Sequence, residues 1–503
     1  MQSTTSNYRI TSGIFLTPAF LYQGYNPQVY SKHSIKTGYL FHSGRHRVCL
    51  YGVRESKTVM TMKNFYINSA VSIALCASAS ISQAETEETK DDMLLRLQAL
   101  EQRIHEMDAG QSMEQAYGLS ANRRVSDNAF NPAISVILDG VYASYKNNPE
   151  DYSMPGYTLG GEAELAPEGF SLGHSEITLS NYIDDKFFGQ FTVAIAEHEG
   201  EVEVELEEAF FETLALGQGF TIRGGRFYSA IGYLNQQHEH AWDFYDAPLI
   251  YRGLFGNQYN DDGMRVSFIA PTDMFLELGS EVFAGKKYPA GGEHSGVGSW
   301  TAFVNVGGDI GVSHSWQAGA SYWNAEDITR EYSSHSHGGA VAEVPVFEGD
   351  SDIVGLNALY KWAPNGNYRD QNFKLQFEYF KRDDEGNITL LDSNPLETST
   401  LNGRQDGWYL QGIWQFAREW RVGLRYDAID SDNSGSDSDV LDEVGLVSAG
   451  HTPQRSSIMT EWIPSEYSRI RLQYNRDESY QQADNQVYLQ YTFSIGAHGA
   501  HAY

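Results

Sequence analysis

His238 and His240 stand two apart with Glu239 between them in the run Asn235-Gln-Gln-His-Glu-His240, and Trp242-Asp-Phe-Tyr-Asp246 follows at once. Imidazole nitrogen and carboxylate oxygen together suit zinc-class cations, so this run carries donors for transient metal binding. Two histidines fall short of a four-ligand set, and a solvated polar pair has the same spacing. Histidine nevertheless gathers in segments of this kind: His335 and His337 lie in a Gly/Ser stretch, His294 adjoins Glu293, and His498 and His501 sit at the chain end. Thiolate ligands are not on offer, because the two cysteines, Cys49 and Cys76, both precede residue 85.

Charged residues recur with a period of two. Glu201, Glu203, Glu205 and Glu207 share one face opposite Val202, Val204 and Leu206. The parity breaks at Glu208, which calls for a β-bulge there. Arg421 and Arg425 alternate with Val422 and Leu424, and Arg471 alternates with Ile470 and Leu472. Four like charges cannot face lipid, so the acidic stripe must face water. If the arginines lie across a lumen from the glutamates, the two rows set up a transverse field that orders water and admits small polar solutes. His174 and His198, near Ser and Glu residues, are all that points to a barrel hydrolase; the chain is expected not to be an enzyme.

What would hold such residues in place is a set of strands. Val487, Leu489, Tyr491, Phe493 and Ile495 alternate with Tyr488, Gln490, Thr492 and Ser494 without a slip. Period two with an apolar and a polar face is the pattern of a strand between lipid and water. Repeating it predicts strands near 133–145, 172–183, 187–198, 202–215, 220–230, 261–270, 275–286, 299–310, 315–325, 351–362, 371–383, 405–417, 420–430, 453–463, 468–479 and 485–495. Sixteen is an even number, as a single-chain bacterial barrel requires. Short turns such as Asp184-Asp185 and Arg418-Glu419 alternate with long loops at 231–260, 326–350, 384–404 and 431–452. Residues 146–171 are the stretch least readable as strand or loop, with room for an extra hairpin. The expected fold is therefore all-β, a transmembrane antiparallel β-barrel of about 16 strands over residues 131–495.

The N-terminal part divides differently. Residues 62–84 read as a secretory signal, with Lys63, an apolar stretch Ala70 to Ala79 and Ser82-Gln83-Ala84 as the cleavage site. Residues 1–61 are a basic, aperiodic leader that reads as an over-extended start ahead of Met62. In residues 85–110, Met93, Leu97, Leu100, Ile104 and Met107 form a short heptad seam, a coiled-coil helix in need of partners. Residues 111–130 read as linker and 496–503 as a His-containing tail. The net charge of −31 becomes −38 once the first 84 residues are removed, which argues against a nucleic-acid partner.

Gly225-Arg-Phe-Tyr228, the Asn235–Asp246 run, Asp262-Gly263 and the tail from Leu489 to Tyr503 with its two histidines resemble a group of proteobacterial outer-membrane barrels described as zinc-regulated, often labelled TonB-dependent receptors. More broadly, residues 85–503 are similar to trimeric porins, including those with an N-terminal coiled coil. The resemblance implies an outer-membrane channel expressed when zinc is scarce. It implies too that the long loop after residue 230 folds inward, so that Asp243, Asp246, Asp261 and Asp262 charge the constriction together with Glu201, Glu203, Glu205, Arg421, Arg425 and Arg471. Metal contact would fall to His238, His240, His335, His337, His498 and His501, with Zn²⁺ passing transiently and no resident cofactor. The partners expected are outer-membrane lipid, two further copies in a homotrimer and the barrel assembly machinery. A TonB-dependent receptor for zinc or a metal complex is the alternative, but only some 45 residues separate the signal from the first strand, too few for a plug domain.

Overall fold

The computed structural model describes residues 132–496, apart from 199–200, 293, 334–343, 392, 394–395, 449 and 481. The leader, signal, coiled-coil and linker readings, the tail after residue 496, and His335, His337, His498 and His501 lie outside the described residues.

Alternating sequence becomes one antiparallel sheet that closes on itself. Its strands are β1 (Ala133–Ser144), β2 (Gly169–Leu172), β3 (Ser175–Tyr182), β4 (Phe187–His198), β5 (Glu201–Thr213), β6 (Phe220–Tyr228), β7 (Asn260–Ile269), β8 (Phe275–Phe283) and β9 (Ser299–Ile310). They continue as β10 (His314–Glu331), β11 (Val344–Trp362), β12 (Asn372–Leu391), β13 (Glu397–Ala417), β14 (Trp420–Ser434), β15 (Gln454–Ser465), β16 (Ser468–Glu478) and β17 (Asp484–Gly496). Apart from β2 and β3, which both pair with β1, each pairs with its sequence neighbours, and β17 pairs with β1 from Ser135↔Gly496 to Ser144↔Val487. Because β2 and β3 both pair with β1, they form a single stave, and the barrel has sixteen.

Closure leaves no free edge, which is what lets a sheet cross lipid. The last strand shows the two faces: Leu489, Tyr491 and Phe493 are exposed outward, whereas Tyr488, Gln490 and Thr492 are buried inward. Outward Trp414, Phe416, Trp420 and Trp462 gather beside the short turns at 418–419 and 466–467, as an aromatic girdle at one membrane interface does. No helix among the described residues is long and apolar enough to cross a membrane. The chain is an outer-membrane-type β-barrel.

The strands β10 to β13 are longer than their alternation suggests. β12 runs to Leu391 and β13 starts at Glu397, although the pattern fades near residue 383. A span needs only about ten residues. Above that height the outer face meets water, so apolar residues are no longer required there and Asp, Gly and Thr replace them. The backbone ladder persists, with Asp384↔Gly403 and Gly386↔Leu401 still paired. Residues 146–168 hold a single 3₁₀ turn, Pro149–Asp151, and a Met154↔Tyr157 bridge, and no additional hairpin.

The lumen is occupied. The chain between β6 and β7 enters it and carries the helix α1 (Leu249–Phe255), all of whose residues are buried. Ile231, Leu234, Trp242, Leu249, Leu254 and Tyr259 from this loop pack with Met154 and Tyr157, and with Trp323, Phe380 and Tyr409 of the wall. The barrel therefore has an apolar core inside it.

Candidate metal centre in the barrel lumen

Two bulges, one on the β2–β3 stave and one on β5 with β4 between them, build the site. Leu172 and Ile177 both face outward although they are five residues apart, so one residue between them is extra. The register with β1 agrees: three residues, Gly173 to Ser175, stand opposite two, Leu138 and Asp139. Gly173 allows this, since a Cβ there would lie 2.1 Å from Asp139 Oδ2. The break turns both His174 and Glu176 toward the interior. On β5 the register with β4 jumps from Thr192↔Glu208 to Val193↔Leu206, leaving Glu207 as the bulged residue. That is the bulge the parity break at Glu208 calls for, and it buries Glu207 and Glu208 side by side.

The inward loop brings two imidazoles onto these carboxylates. His238 Nδ1 lies 3.0 Å from Glu176 Oε2 and 3.2 Å from Glu207 Oε2, while its Nε2 lies 2.9 Å from Glu208 Oε2. His240 Nδ1 lies 2.6 Å from Glu176 Oε1. His174 touches Glu207 through Nε2 and faces Glu239 Oε2 at 3.6 Å through Nδ1. Burial alone would lower the His238 imidazole. The charge of Glu176 and hydrogen bonds to Glu176, Glu207 and Glu208 outweigh it and hold the ring well above its ordinary value, as a cation among carboxylates.

Charge is unbalanced here. Glu162, Glu176, Glu205, Glu207, Glu208 and Glu239 are six carboxylates against three imidazoles and Lys287, which pairs with Glu205. With every carboxylate ionised and every imidazole protonated, two negative charges remain. A buried surplus of that kind is costly unless a cation or protons offset it. Imidazole and carboxylate donors converge with the composition of a zinc-class site.

The loop is held to the opposite wall by a ladder of ion pairs. Asp243 meets Lys374 at 2.5 Å and Arg421 at 3.5 Å. Asp246 meets Arg425 and Arg455 at 2.7 Å each and accepts from Gln473 and Asn475 at 2.7 Å. Asp427 accepts the Leu249 N–H at 3.1 Å and so caps α1 from the wall. Glu378 accepts the N–H groups of Tyr233 and Leu234 at 2.8 and 3.0 Å. Arg469 donates to His240 O and Arg471 to Trp242 O, at 2.5 and 2.6 Å, which fixes the backbone that carries both loop histidines.

Several expected constriction residues take other places. Arg421, Arg425 and Arg471 face inward but are buried against Asp243, Asp246 and Glu461, with Arg471–Glu461 at 3.1 Å. They offer no bare positive row to an open lumen, because loop carboxylates and carbonyls together with Glu461 of the wall pair with them. Asp261 accepts the N–H groups of Gly285 and Lys286 at 2.8 and 3.0 Å, anchoring the next loop. Asp262 pairs with Arg226 on the outward side of β7, in step with Met264 and Val266. Glu203 is exposed, and Glu201 begins β5 opposite His198, its side chain outside the described residues. His174, linked in the sequence to hydrolysis, turns its ring nitrogens to Glu207 and Glu239 among the described residues. Glu176 and Glu208 join the site although the sequence marks Glu208 only as a break in parity and Glu176 not at all as a donor. Glu176 was readable, since Glu176, Thr178 and Ser180 alternate with Ile177 and Leu179. Glu162 lies in an aperiodic loop and carries no sequence signal.

The loop clamp has a testable pH dependence. Burial would raise the Asp246 carboxyl, yet Arg455 and Arg425 hold it below the usual aspartate range. A depressed folded-state pKa contributes stability that is complete above the unfolded value, about 3.9, and is lost as pH falls below it. Heat-modifiability of the folded barrel on gels is expected to weaken below about pH 4 in the parent chain, and Asp246→Asn should flatten that dependence while lowering stability throughout. An identical pH profile in the variant would remove Asp246 from the clamp.

No family model matches the chain. An uncharacterized protein of Aquifex aeolicus (strain VF5) is 31% identical over 409 residues, covering 75% of this chain and 81% of that protein. Among solved structures, outer-membrane expressed OmpT of Vibrio cholerae is 10% identical, covers 74% of this chain and 99% of its own, and aligns with a TM-score of 0.44. The outer-membrane channel DcaP of Acinetobacter baumannii is 12% identical, with 72% and 97% coverage and a TM-score of 0.44. An anion-selective porin from Comamonas acidovorans is 11% identical, with 72% and 99% coverage and a TM-score of 0.40.

Proposed function

The chain belongs to one family with the Aquifex aeolicus protein, and from its closed barrel and acidic lumen we propose a porin-like outer-membrane channel that passes small cations, zinc-class ions among them. One observation carries this reading: His238 and His240, on a loop folded into the lumen, meet Glu176, Glu207 and Glu208 of the wall. Cations are favoured because the wall arginines are engaged by Asp243 and Asp246 of the loop and by Asp427 and Glu461 of the wall, while the carboxylates around the histidines, when ionised, are in surplus. Zn²⁺ is cargo here, held by groups weak and numerous enough to release it.

Planar-bilayer recording tests the proposal. In a salt gradient the reversal potential should show cation selectivity, and micromolar Zn²⁺ should reduce the current reversibly by occupying the path. Anion selectivity would overturn it. A second reading, gated passage driven from the inner membrane, is favoured by the apolar core that fills the lumen. A folded but silent barrel would favour that reading.

A further inference from the structure

Donor groups in the lumen fall into two sets, not one. Glu176, His238 and His240 offer ligand atoms within 4.8 Å of one another, and so do Glu162, His174 and Glu239. Burial distinguishes every member but His238, which at 18% side-chain exposure is as open as His174. Glu176 and His240 are almost wholly buried, at 1% and 4% side-chain exposure, whereas His174 and Glu239 are 14% and 21% exposed. The second set lines a polar cavity of about 110 Å³ together with Glu205, Glu207 and Lys287, room enough for several waters. Glu176, His238 and His240 are not among the residues that line it.

Glu207 joins the two. Its Oε1 contacts His174 of the cavity set, and its Oε2 lies 3.2 Å from His238 of the buried set. His174 is likewise turned both ways, with Nε2 on Glu207 and Nδ1 toward Glu239. A third triad, His174, Glu176 and Glu207, bridges the sets with ligand atoms again within 4.8 Å. A cation can thus exchange one donor at a time along the chain without ever being stripped of all its ligands.

We propose that the lumen holds two adjacent divalent-cation sites, a hydrated outer one at Glu162, His174 and Glu239 and a buried inner one at Glu176, His238 and His240, between which Glu207 hands the ion on. Neighbouring sites that repel each other's ions are how a selective path binds its cargo and still releases it. The proposal rests on the cation-channel reading and gives it a substrate class, divalent ions of imidazole preference. The bulged staves set the spacing: one bulge supplies His174 and Glu176, the other Glu207 and Glu208.

Stoichiometry tests it. The full chain, purified folded in detergent and freed of metal by chelator, is titrated with Zn²⁺ and, in parallel, with Co²⁺, whose absorption reports histidine ligation. Two ions per barrel are expected, with two cobalt end-points of different spectra. Glu162→Gln with Glu239→Gln should leave one, retaining the inner spectrum; His240→Ala should leave one, retaining the outer. One ion in the parent chain, or a single cobalt end-point, overturns the proposal, as does loss of both ions in either folded variant. The parent-chain titration decides even if a variant fails to fold. Two ions on a barrel that does not conduct would keep the sites and sink the channel; conduction with one ion would do the reverse.

Discussion

Replacing residues 232–257 with a short Gly/Ser link is expected to raise single-channel conductance about tenfold, since sixteen staves enclose an aqueous bore unless something fills it. What fills it here is mostly this segment, with α1 and the apolar residues around it. The link is short because the loop ends already meet: Tyr228 pairs with Asn260, and Ser229 N donates to Tyr259 O at 3.0 Å. Removing Asp243 and Asp246 would be costly if it left bare guanidinium groups in a dry interior, about 3–5 kcal/mol for each broken pair. Two conditions spare the barrel that cost. Arg421 keeps Glu461, and Arg425 and Arg455 keep Asp427 at 3.1 and 3.5 Å. The emptied lumen also fills with water, where lone charges are tolerated. Bilayer recordings of parent and replaced chains decide the matter. Equal conductance would mean that ions do not pass beside the loop at all.

The wall of this protein was legible because lipid enforces period two. Every stave that crosses the membrane repeats the outward and inward choice seen at Val487–Ser494, and a single slip would put Gln490 or Arg471 into hydrocarbon. The same rule exposed the bulge at Glu207, where alternation fails between two fixed faces. It could not expose the bulge at His174, since Gly173-His174-Ser175 has no apolar member to mark parity. Nor could it show which wall residues the loop meets. Asp246 reaches Arg455, more than 200 residues away in sequence, through a fold-back that depends on closure of the whole barrel. His238 and His240 announced a donor pair, but the carboxylates that complete it sit on β3 and β5 and become its neighbours only when the loop enters the lumen. Tertiary closure, which local pattern does not encode, supplies the site.

His238→Ala with His240→Ala should lower Zn²⁺ affinity at the inner site by at least a hundredfold, because deleting even outer partners of a metal ligand costs about 10–100-fold. That loss is about 3 kcal/mol, at 1.4 kcal/mol per tenfold. The change removes donors without moving the loop. The clamp grips His240 through its backbone carbonyl, which Arg469 binds, and the next turn through Trp242 O, so alanine at 238 and 240 keeps both. Asp243 and Asp246 are untouched and still dock on Lys374, Arg421, Arg425 and Arg455. Conductance in alkali salt should therefore persist, while the Zn²⁺ concentration needed to reduce the current should rise by the same factor as the dissociation constant. His294→Ala is the matched control, since that ring faces Gly291 O at 3.1 Å and lies in neither donor set. Calorimetry and current block must move together. If affinity falls and block does not, the ion binds off the conducting path, and the carboxylates facing His174 become the constriction instead.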